Sequence, residues 1–278
     1  MALLTLTEES TSRYAQAGLY NVHYNDAGEG PAVIMLHGGG PGAGGWSNFN
    51  RNIEAFARRH RTLLVDVLTY GKSESVVFAD EPATTVRVRA LRDLMDTLGI
   101  ERASFVGNSL GGSLAMAFAV DYPERTDKLV LMGAAGLLPT LIAPQPTEGH
   151  RRLREAFTNP TVETMQALVN AMLYDPSIVS RELLEARVEA ARNPAHREAT
   201  AKSRSAPDRD QSDEFRRIAA RTLIIWGRED RVNPLEIGLR LLRDIPDSRL
   251  LVFKNCGHWA QIEHADEFNR VALEFLAG

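Results

Sequence analysis

The chain has 278 residues, 44% of them hydrophobic, which is enough to bury a full core in one large domain or in one domain with an insertion. Its formal net charge of −4 gives no electrostatic reason to bind nucleic acid or an anionic membrane surface, and the sequence shows no long apolar span or signal-peptide pattern. A single cysteine excludes an internal disulfide framework, so we expect a cytoplasmic protein.

Short apolar runs alternate with helical patterns along most of the chain. Residues 19–25 alternate apolar and polar side chains, as expected of a half-solvated antiparallel strand. Buried strands are predicted after it at 33–36, 62–66, 103–107, 128–132, 222–227 and 249–253. The clearest helix spans 84–98 and ends at Gly99. This alternation predicts an α/β fold with a mostly parallel sheet and helices on both faces.

The first buried strand runs directly into a glycine-rich loop, His-Gly-Gly-Gly-Pro-Gly at 37–42. Glycines let backbone N–H groups approach a substrate closely, so the loop can supply a donor to a developing oxyanion. A dinucleotide-binding loop is the competing interpretation. It fits poorly because Pro41 removes a donor and no G-x-G-x-x-G opens a helix here. His37 suits a structural role in fixing this loop better than a catalytic role.

The most informative motif is Gly107-Asn108-Ser109-Leu110-Gly111, which lies between a predicted strand and a predicted helix. A nucleophile elbow has this strand–turn–helix context. The turn is so tight that residues two positions either side of the serine must be very small, and both are glycine. Ser109 is therefore predicted to be a nucleophile, with the Leu110 N–H as an oxyanion donor.

A nucleophilic serine needs a base, and the base needs an orienting acid. Glu229 and Asp230 follow the predicted strand at 222–227, and His258 follows the one at 249–253. Loops at the carboxyl ends of parallel strands share one edge of the sheet, so these side chains can converge there. Adjacent loop residues point in different directions, so only one acid can reach the imidazole. We favour Asp230 over Glu229.

Other reactive side chains have less specific interpretations. Cys256 lies close to the predicted base, but a lone loop cysteine is more often a small packing residue than a nucleophile. The remaining histidines are scattered, with no i, i+4 pair, which predicts no metal site; they are His23, His60, His150, His196 and His264.

The strand–helix alternation stops between residues 134 and 215. This stretch begins with several prolines, has helical patterns at 149–157, 161–173 and 180–192, and ends in a charged segment. Inserted between two core strands, it predicts a helical lid over the catalytic sheet edge, and a helical decoration elsewhere on the surface is the alternative. We assign 1–134 and 215–278 to the core and 135–214 to the lid. An apolar cluster in the lid lines the pocket or forms the lid's own core; its members are Leu137, Leu138, Leu141 and Ile142.

These motifs resemble the α/β-hydrolase superfamily and, within it, the meta-cleavage-product hydrolases of aromatic degradation. The resemblance spans nearly the whole chain and is carried by LHGGGPGAGGWSN (36–48), VGNSLGG (106–112), WGREDR (226–231), CGHWAQ (256–261), EHADEFN (263–269) and the lid segments 173–176 and 192–194. It implies a cofactor-independent hydrolase that cleaves a C–C bond of a 2-hydroxy-6-oxohexa-2,4-dienoate. The products would be 2-hydroxypenta-2,4-dienoate and a carboxylic acid. The resemblance also implies a homodimer or a larger homo-oligomer.

The same resemblance implies roles for individual residues. Ser109, Asp230 and His258 match the catalytic triad, and Gly39 and Leu110 match the oxyanion donors. Further matches to substrate-binding positions are Gly40, Asn48, Asn108, Met172, Arg192 and Trp259.

Two of these binding assignments have a structural alternative. Arg192 matches a lid arginine that holds the carboxylate end of the substrate, a task suited to a bidentate guanidinium. An arginine at a helix end can also simply be solvated or complement the helix dipole. Trp259 can be a pocket wall or a core residue.

Two features depart from the family pattern. Residues 66–73, DVLTYGKS, lack the usual proline–glycine pair, so this turn must be built differently. The lid has no aromatic residue at 202–213, and Met172 stands where some relatives have an aromatic side chain. These features predict a small alkyl substituent on the substrate ketone rather than a phenyl group.

Two other functions stay open. A carboxylesterase or thioesterase could use the same fold and triad, although a simple ester needs no carboxylate clamp. A ligand receptor could retain the fold for binding alone, although a complete triad argues against it.

Overall fold

The computed structural model describes residues 6–134 and 140–278, and in this part of the chain eight strands form one sheet. Their order across the sheet is β1-β2-β4-β3-β5-β6-β7-β8. The strands are β1 (Ser12–Ala17), β2 (Tyr20–Ala27), β3 (Ala32–Leu36), β4 (Arg61–Val65), β5 (Ala103–Asn108), β6 (Thr126–Met132), β7 (Arg221–Gly227) and β8 (Ser248–Phe253). Strand β2 pairs antiparallel with β1 and β4, and all other pairs are parallel. The predicted α/β fold with a mostly parallel sheet is confirmed.

Helices connect most of the strands. They are α1 (Glu8–Thr11), α2 (Gly45–Phe49), α3 (Ile53–Ala57), α4 (Ala83–Thr97), α5 (Leu110–Asp121), α6 (Glu148–Thr158), α7 (Val162–Met172), α8 (Arg181–Ala191), α9 (Pro194–Lys202), α10 (Leu235–Asp244), α11 (Ala260–Glu263) and α12 (Ala265–Ala277). Within the described residues, none combines the length and apolar character needed to span a membrane.

Helices cover both faces of the sheet because the buried strands carry apolar side chains on both faces. In β3, Ile34 and Leu36 join the cluster that contains α4, α5 and α10, whereas Val33 and Met35 join the one that contains α3 and α12. Successive strand side chains point to opposite faces, so a continuous apolar run fills both cores at once.

Register aligns the carboxyl ends of the parallel strands. Leu36 of β3 pairs with Gly107 of β5, and Met132 of β6 pairs with Ile225 of β7. The loops that follow these strands therefore open on one edge of the sheet, where ligands bind in open α/β folds.

Helices α6 to α9 lie between β6 and β7 in sequence and pack onto this edge. Apolar side chains of α6, α7 and α8 form a cluster with three residues of the core, Val232, Trp259 and Ile262. Three of the helices correspond to the predicted segments at 149–157, 161–173 and 180–192, and α9 is additional. This arrangement supports a lid over the sheet edge rather than a remote decoration.

The described members of the predicted apolar lid cluster lie on the surface rather than in a pocket or in the lid core. Leu137 and Leu138 lie outside the described residues. Leu141 and Ile142 are 94% and 88% exposed, so neither lines a pocket or fills the lid core. The Glu236 carboxylate accepts their backbone N–H groups, which leaves both side chains on the outer surface.

The turn that lacks the proline–glycine pair is built around Thr69, whose φ is +70°. A β-branched residue in this left-handed region costs about 1–3 kcal/mol. The Thr69 hydroxyl donates to Val76 O at 3.1 Å and accepts the Val76 N–H at 3.0 Å. These two hydrogen bonds offset the backbone strain.

Candidate active site

Ser109 occupies a sharp turn between β5 and α5, with φ 53° and ψ −115°. A side chain at Gly107 would overlap the backbone of Gly111, and one at Gly111 would overlap the carbonyl of Leu36. Glycine is therefore required on both sides of the serine because neighbouring backbone fills the space. The strained turn presents Ser109 at the carboxyl edge of the sheet.

Asp230 and His258 form a buried pair at the same edge. Asp230 Oδ2 lies 2.7 Å from His258 Nδ1, while Oδ1 accepts the N–H groups of Val232 and Asn233 at 2.8 and 2.9 Å. A carboxylate only accepts, so Nδ1 carries a hydrogen, and in the neutral form of the ring Nε2 is the unprotonated nitrogen. This arrangement makes Nε2 available as a general base.

The competing acid, Glu229, is directed away from the imidazole. Its Oε2 accepts the Cys256 N–H at 3.0 Å, and its Oε1 accepts a hydrogen bond from Arg228 at 2.7 Å. Glu229 thus ties the base loop to the acid loop, and Asp230 alone of these two acids contacts His258.

A cavity of about 100 Å³ lies above Ser109 and His258. Its walls are Gly38, Gly39, Gly40, Asn48, Ser109, Leu110, Leu153, Met172, Arg187, His258 and Trp259. The structure therefore brings two of the predicted triad residues together with most of the predicted substrate-binding residues. Asn108 and Arg192 are the two predicted binding residues that are not among these walls.

Several buried polar atoms of this cavity have no hydrogen-bond partner in the described residues. They are both side-chain polar atoms of Asn48, Nε of Arg187 and Nε2 of His258. Buried polar groups in folded proteins are nearly always satisfied. Their concentration around one cavity indicates a site built for a polar ligand.

The glycine loop is held by two side chains that bind successive carbonyls. His37 Nδ1 donates to Gly38 O at 2.8 Å, and its Nε2 accepts the Val67 N–H at 3.0 Å. The Tyr70 hydroxyl donates to Gly39 O at 3.1 Å. His37 therefore fixes the loop, and as an acceptor at Nε2 it must stay neutral.

These carbonyl contacts set the direction of the loop's N–H groups. In a trans peptide the N–H points opposite to the C=O, so the N–H groups of Gly39 and Gly40 point away from His37 and Tyr70. Leu110 is the first residue of α5, so its N–H has no partner within the helix. The loop and the helix start can thus present donors to one oxyanion.

Arg187 is the cation of the cavity. It is 3% exposed, its Nη2 donates to Pro41 O at 3.2 Å, and its guanidinium lies 5.1 Å from the centre of the Trp259 ring. Burial lowers its pKa to about 10, which leaves it protonated at neutral pH. A buried guanidinium without a carboxylate partner among the described residues is suited to an anionic ligand group.

The structure places Arg192, the predicted clamp, elsewhere. Its Nε donates to Pro160 O at 3.1 Å, and it lines a separate surface depression with Glu189 and Asn193. Arg192 follows Arg187 by five residues, which is a rotation of roughly 140° around helix α8 and its C-cap. The structure therefore places Arg192 apart from the cavity, whereas Arg187 lies in its wall.

The other predicted binding residues take two kinds of position. Gly40, Asn48, Met172 and Trp259 line the cavity. Asn108 instead supports it: its Nδ2 donates to Met132 O at 3.3 Å and to His258 O at 3.2 Å, which joins the elbow to the base loop.

Cys256 is a buried free thiol, and burial with nearby Glu263 raises its pKa. A protonated thiol is a poor nucleophile, so the geometry favours the packing interpretation. Glu263 accepts the N–H groups of Gly257 and Tyr174 at 2.8 and 2.7 Å, which links the base loop to the lid. Across 6–134 and 140–278, no group of three His, Cys, Asp or Glu residues could hold a metal.

Sequence reasoning missed Arg187, Leu153 and Tyr70. A signal for Arg187 was present, because it lies between Leu184 and Val188 on the buried face of α8. A charged side chain among the apolar residues of a helix face indicates that the charge is buried for a functional reason. Leu153 and Tyr70 carry no comparable signal, since their roles depend on contacts between distant segments.

Comparison with known proteins places these features in a family. Residues 31–265 match a family model described as alpha/beta hydrolase fold. The chain is 47% identical to a 2-hydroxy-6-oxo-6-phenylhexa-2,4-dienoate hydrolase of Burkholderia cepacia, with 98% of each chain covered. It is 46% identical to a 2-hydroxy-6-oxononadienedioate/2-hydroxy-6-oxononatrienedioate hydrolase of Comamonas testosteroni, again with 98% of each covered.

Among solved structures, the chain is similar to the meta-cleavage product hydrolase CumD of Pseudomonas fluorescens IP01. The TM-score is 0.83 and the identity is 35%, with 95% of this chain and 97% of that chain covered. The chain therefore belongs to the α/β hydrolase family and, within it, to the meta-cleavage product hydrolases.

Proposed function

We propose that this protein hydrolyses the C5–C6 bond of a 2-hydroxy-6-oxohexa-2,4-dienoate to 2-hydroxypenta-2,4-dienoate and a carboxylic acid. The observation that carries the proposal is one cavity with Ser109 and His258 in its wall beside the buried cation Arg187. These residues can hold the anionic end of a substrate at Arg187 while Ser109 attacks a carbonyl at its other end. Relatives named for such substrates, at 46% and 47% identity, support it.

The reaction starts with a change of tautomer. The dienol must move a proton from the C2 hydroxyl to C5, so that C5 becomes a tetrahedral carbon next to the C6 ketone. His258 Nε2 is the free base in the cavity and can accept this proton and return it. Arg187 holds the C1 carboxylate through charge-assisted hydrogen bonds.

Cleavage follows attack by the serine. His258 takes the proton of Ser109 Oγ as Oγ adds to C6, and the loop N–H groups and the Leu110 N–H stabilise the resulting oxyanion. The C5–C6 bond then breaks, and its electron pair moves through C3–C4 to the oxygen on C2. This oxygen takes the proton from His258, which gives 2-hydroxypenta-2,4-dienoate and leaves the acyl group on Ser109.

Water completes the cycle. His258 removes a proton from a water molecule, which adds to the acyl carbon and displaces Ser109 Oγ as that oxygen is reprotonated. The second product is the carboxylic acid that carries the C6 substituent. One water is consumed, and no cofactor is needed.

The substituent on C6 is proposed to be small and alkyl. Leu153 and Met172 supply flexible aliphatic walls to the cavity, and its volume is about 100 Å³. A methyl or short alkyl ketone fits such a space with less rearrangement than an aryl ketone.

The experiment is the loss of visible absorbance of 6-methyl and 6-phenyl 2-hydroxy-6-oxohexadienoates, followed in parallel with 4-nitrophenyl butyrate. We expect rapid loss for the dienoates, a higher kcat/KM for the methyl compound and slow ester hydrolysis. A higher kcat/KM for the neutral ester would instead indicate a carboxylesterase. Ligand binding without multiple turnover would indicate a receptor.

We also propose that the protein works as a cytoplasmic homo-oligomer. The buried free thiol of Cys256 suits a reducing compartment. Leu239 and Leu242 on α10 and Val252 on the edge strand β8 are exposed apolar side chains on elements that pack together. Light scattering should give a mass of two or more chains, and Leu239→Glu should lower it; a monomeric wild type would contradict the proposal.

A further inference from the structure

A second and larger cavity lies behind the glycine loop. Its volume is about 420 Å³, and it shares no lining residue with the catalytic cavity. Its walls are the loop segment 41–43, the turn 69–71, the end of α6, the end of α8 and one face of α9 with Arg204 beyond it. The core supplies six of the fifteen lining residues and the lid supplies nine.

The lining combines cations with a flat apolar surface. Arg197 and Arg204 line the cavity, and none of its described lining residues is acidic. Arg197 donates to the backbone carbonyl of Phe157 at 3.3 Å rather than to a carboxylate. Phe157 is 40% exposed, and Ala190 and Ala201 add small apolar contacts. This composition fits an anion with an apolar, planar body.

His196 ties the lid side of this cavity to the core. Its Nε2 lies 3.0 Å from Gly71 O, which can only accept, so Nε2 carries the hydrogen. Its Nδ1 lies 2.6 Å from the Ser75 hydroxyl. The ring thus fastens α9 to the core turn, and Arg197 and Arg204 are the two arginines of the lining.

We infer that this cavity is a second ligand site for a small carboxylate with a planar apolar body, the class of acid to which the product 2-hydroxypenta-2,4-dienoate belongs. The inference rests on the proposed function only in naming that acid. Guanidinium groups bind carboxylates through charge-assisted hydrogen bonds, and the aromatic ring offers a stacking surface for the body of the ligand.

A ligand here contacts the oxyanion loop from behind. Tyr70 lines the cavity while its hydroxyl donates to Gly39 O, and Pro41 lines it while its carbonyl accepts from Arg187. The two cavities thus share one loop as a wall. Occupation of the second site adjusts the loop that holds the oxyanion and the carboxylate clamp, so accumulated acid modulates turnover.

The test uses benzoate as the probe. The Ser109→Ala protein is first saturated with the 6-phenyl dienoate, whose visible absorbance reports occupation of the catalytic cavity, and benzoate binding is then measured by calorimetry. We expect one benzoate per chain to bind, while neutral benzamide does not. The Arg197→Gln/Arg204→Gln double variant should weaken benzoate binding about tenfold or more, because two charge-assisted contacts are lost.

Two further variants serve as comparisons. Arg192→Gln removes a lid guanidinium outside both cavities and should leave benzoate binding unchanged. Ala201→Trp fills the second cavity from α9 and should abolish benzoate binding. Its kcat for the dienoate, measured at low product concentration, should equal that of the wild type. Thermal unfolding confirms that each variant is folded.

Complete displacement of benzoate by the dienoate, or unchanged affinity in the double variant, overturns the second site. Failure of the proposed function has a different signature. In that case the dienoate is neither bound nor cleaved, yet benzoate binding to the unliganded protein still depends on Arg197 and Arg204.

Discussion

A Cβ atom on Gly133 would lie 2.9 Å from Nδ1 of His258 and 3.1 Å from the Asp230 carboxylate. Gly133 follows β6 with φ +46°, and its carbonyl accepts from Asn233 Nδ2 at 2.8 Å. The acid–base pair therefore closes against the backbone of a neighbouring strand end, which only glycine leaves clear.

Replacement of Gly133 by alanine should separate Asp230 from His258. We expect kcat to fall by about 100-fold with little change in KM, since displacement of a catalytic group by about 1 Å has this effect. Gly99→Ala is the matched control, because Gly99 has φ +64° and no atom within 4 Å of its added Cβ. Both variants should lose stability, and only Gly133→Ala should lose kcat. Equal kcat values in the two variants would contradict this role of Gly133.

Replacement of Arg187 by glutamine should remove the carboxylate clamp. We expect kcat/KM for the dienoate to fall by about 10- to 100-fold, because a hydrogen bond to a charged group contributes about 1.5–3 kcal/mol. Turnover of a neutral nitrophenyl ester should change much less. Arg192→Gln, on the outer surface of the same lid, should behave like the wild type. The reverse ranking of the two variants would restore Arg192 as the clamp.

Replacement of Tyr70 by phenylalanine removes only the hydroxyl that binds Gly39 O. The loop peptide then loses one anchor, and we expect kcat to fall by about 2- to 10-fold, from a net contribution of about 0.5–1.5 kcal/mol. KM should stay unchanged, since the oxyanion exists only after attack. Tyr14→Phe, on an exposed strand residue, is the control. A change confined to KM would argue against an effect on the oxyanion loop.

His37 should make the protein sensitive to acid. Burial lowers the pKa of His37 below its ordinary value of 6.5, and the effect of burial exceeds the opposing effect of Asp66. As pH falls through 6.5, the unfolded chain binds a proton that the native state excludes, so the free energy of unfolding decreases.

His37 changes the free energy of unfolding by at most about 1.4 kcal/mol per pH unit. Burial also lowers the pKa values of His60 and His150, and these groups act in the same direction. Urea unfolding at pH 7.5 and 5.5 should show the loss in the wild type and a smaller loss in His37→Asn. Equal losses in both proteins would assign the acid sensitivity to other groups.

The parts of the site that were predictable from sequence depend on local backbone geometry. The elbow demands glycine at fixed offsets from Ser109, and the acid and base follow apolar runs that are recognisable as strands. Parallel register then brings their loops to one edge, so Asp230 and His258 meet without any contact having to be known in advance.

The parts that were not predictable depend on helix phase and on tertiary contacts. Arg187 and Arg192 lie on one helical segment, and a rotation of roughly 140° decides which one reaches the cavity. The turn that lacks the expected proline–glycine pair is instead stabilised by hydrogen bonds between Thr69 and Val76, a residue seven positions away. The Tyr70 contact with Gly39 joins segments 31 residues apart, and no local pattern indicates it.

Nucleophilic catalysis by Ser109 is tested by measuring dienoate binding and turnover in Ser109→Ala, with Ser113→Ala, at a buried serine of helix α5, as control. We expect Ser109→Ala to bind the dienoate with a Kd close to that of the wild type while kcat falls by about a thousandfold or more. Ser113→Ala should retain turnover. A Ser109→Ala protein that still bleaches the dienoate at a near wild-type rate would contradict nucleophilic catalysis by Ser109.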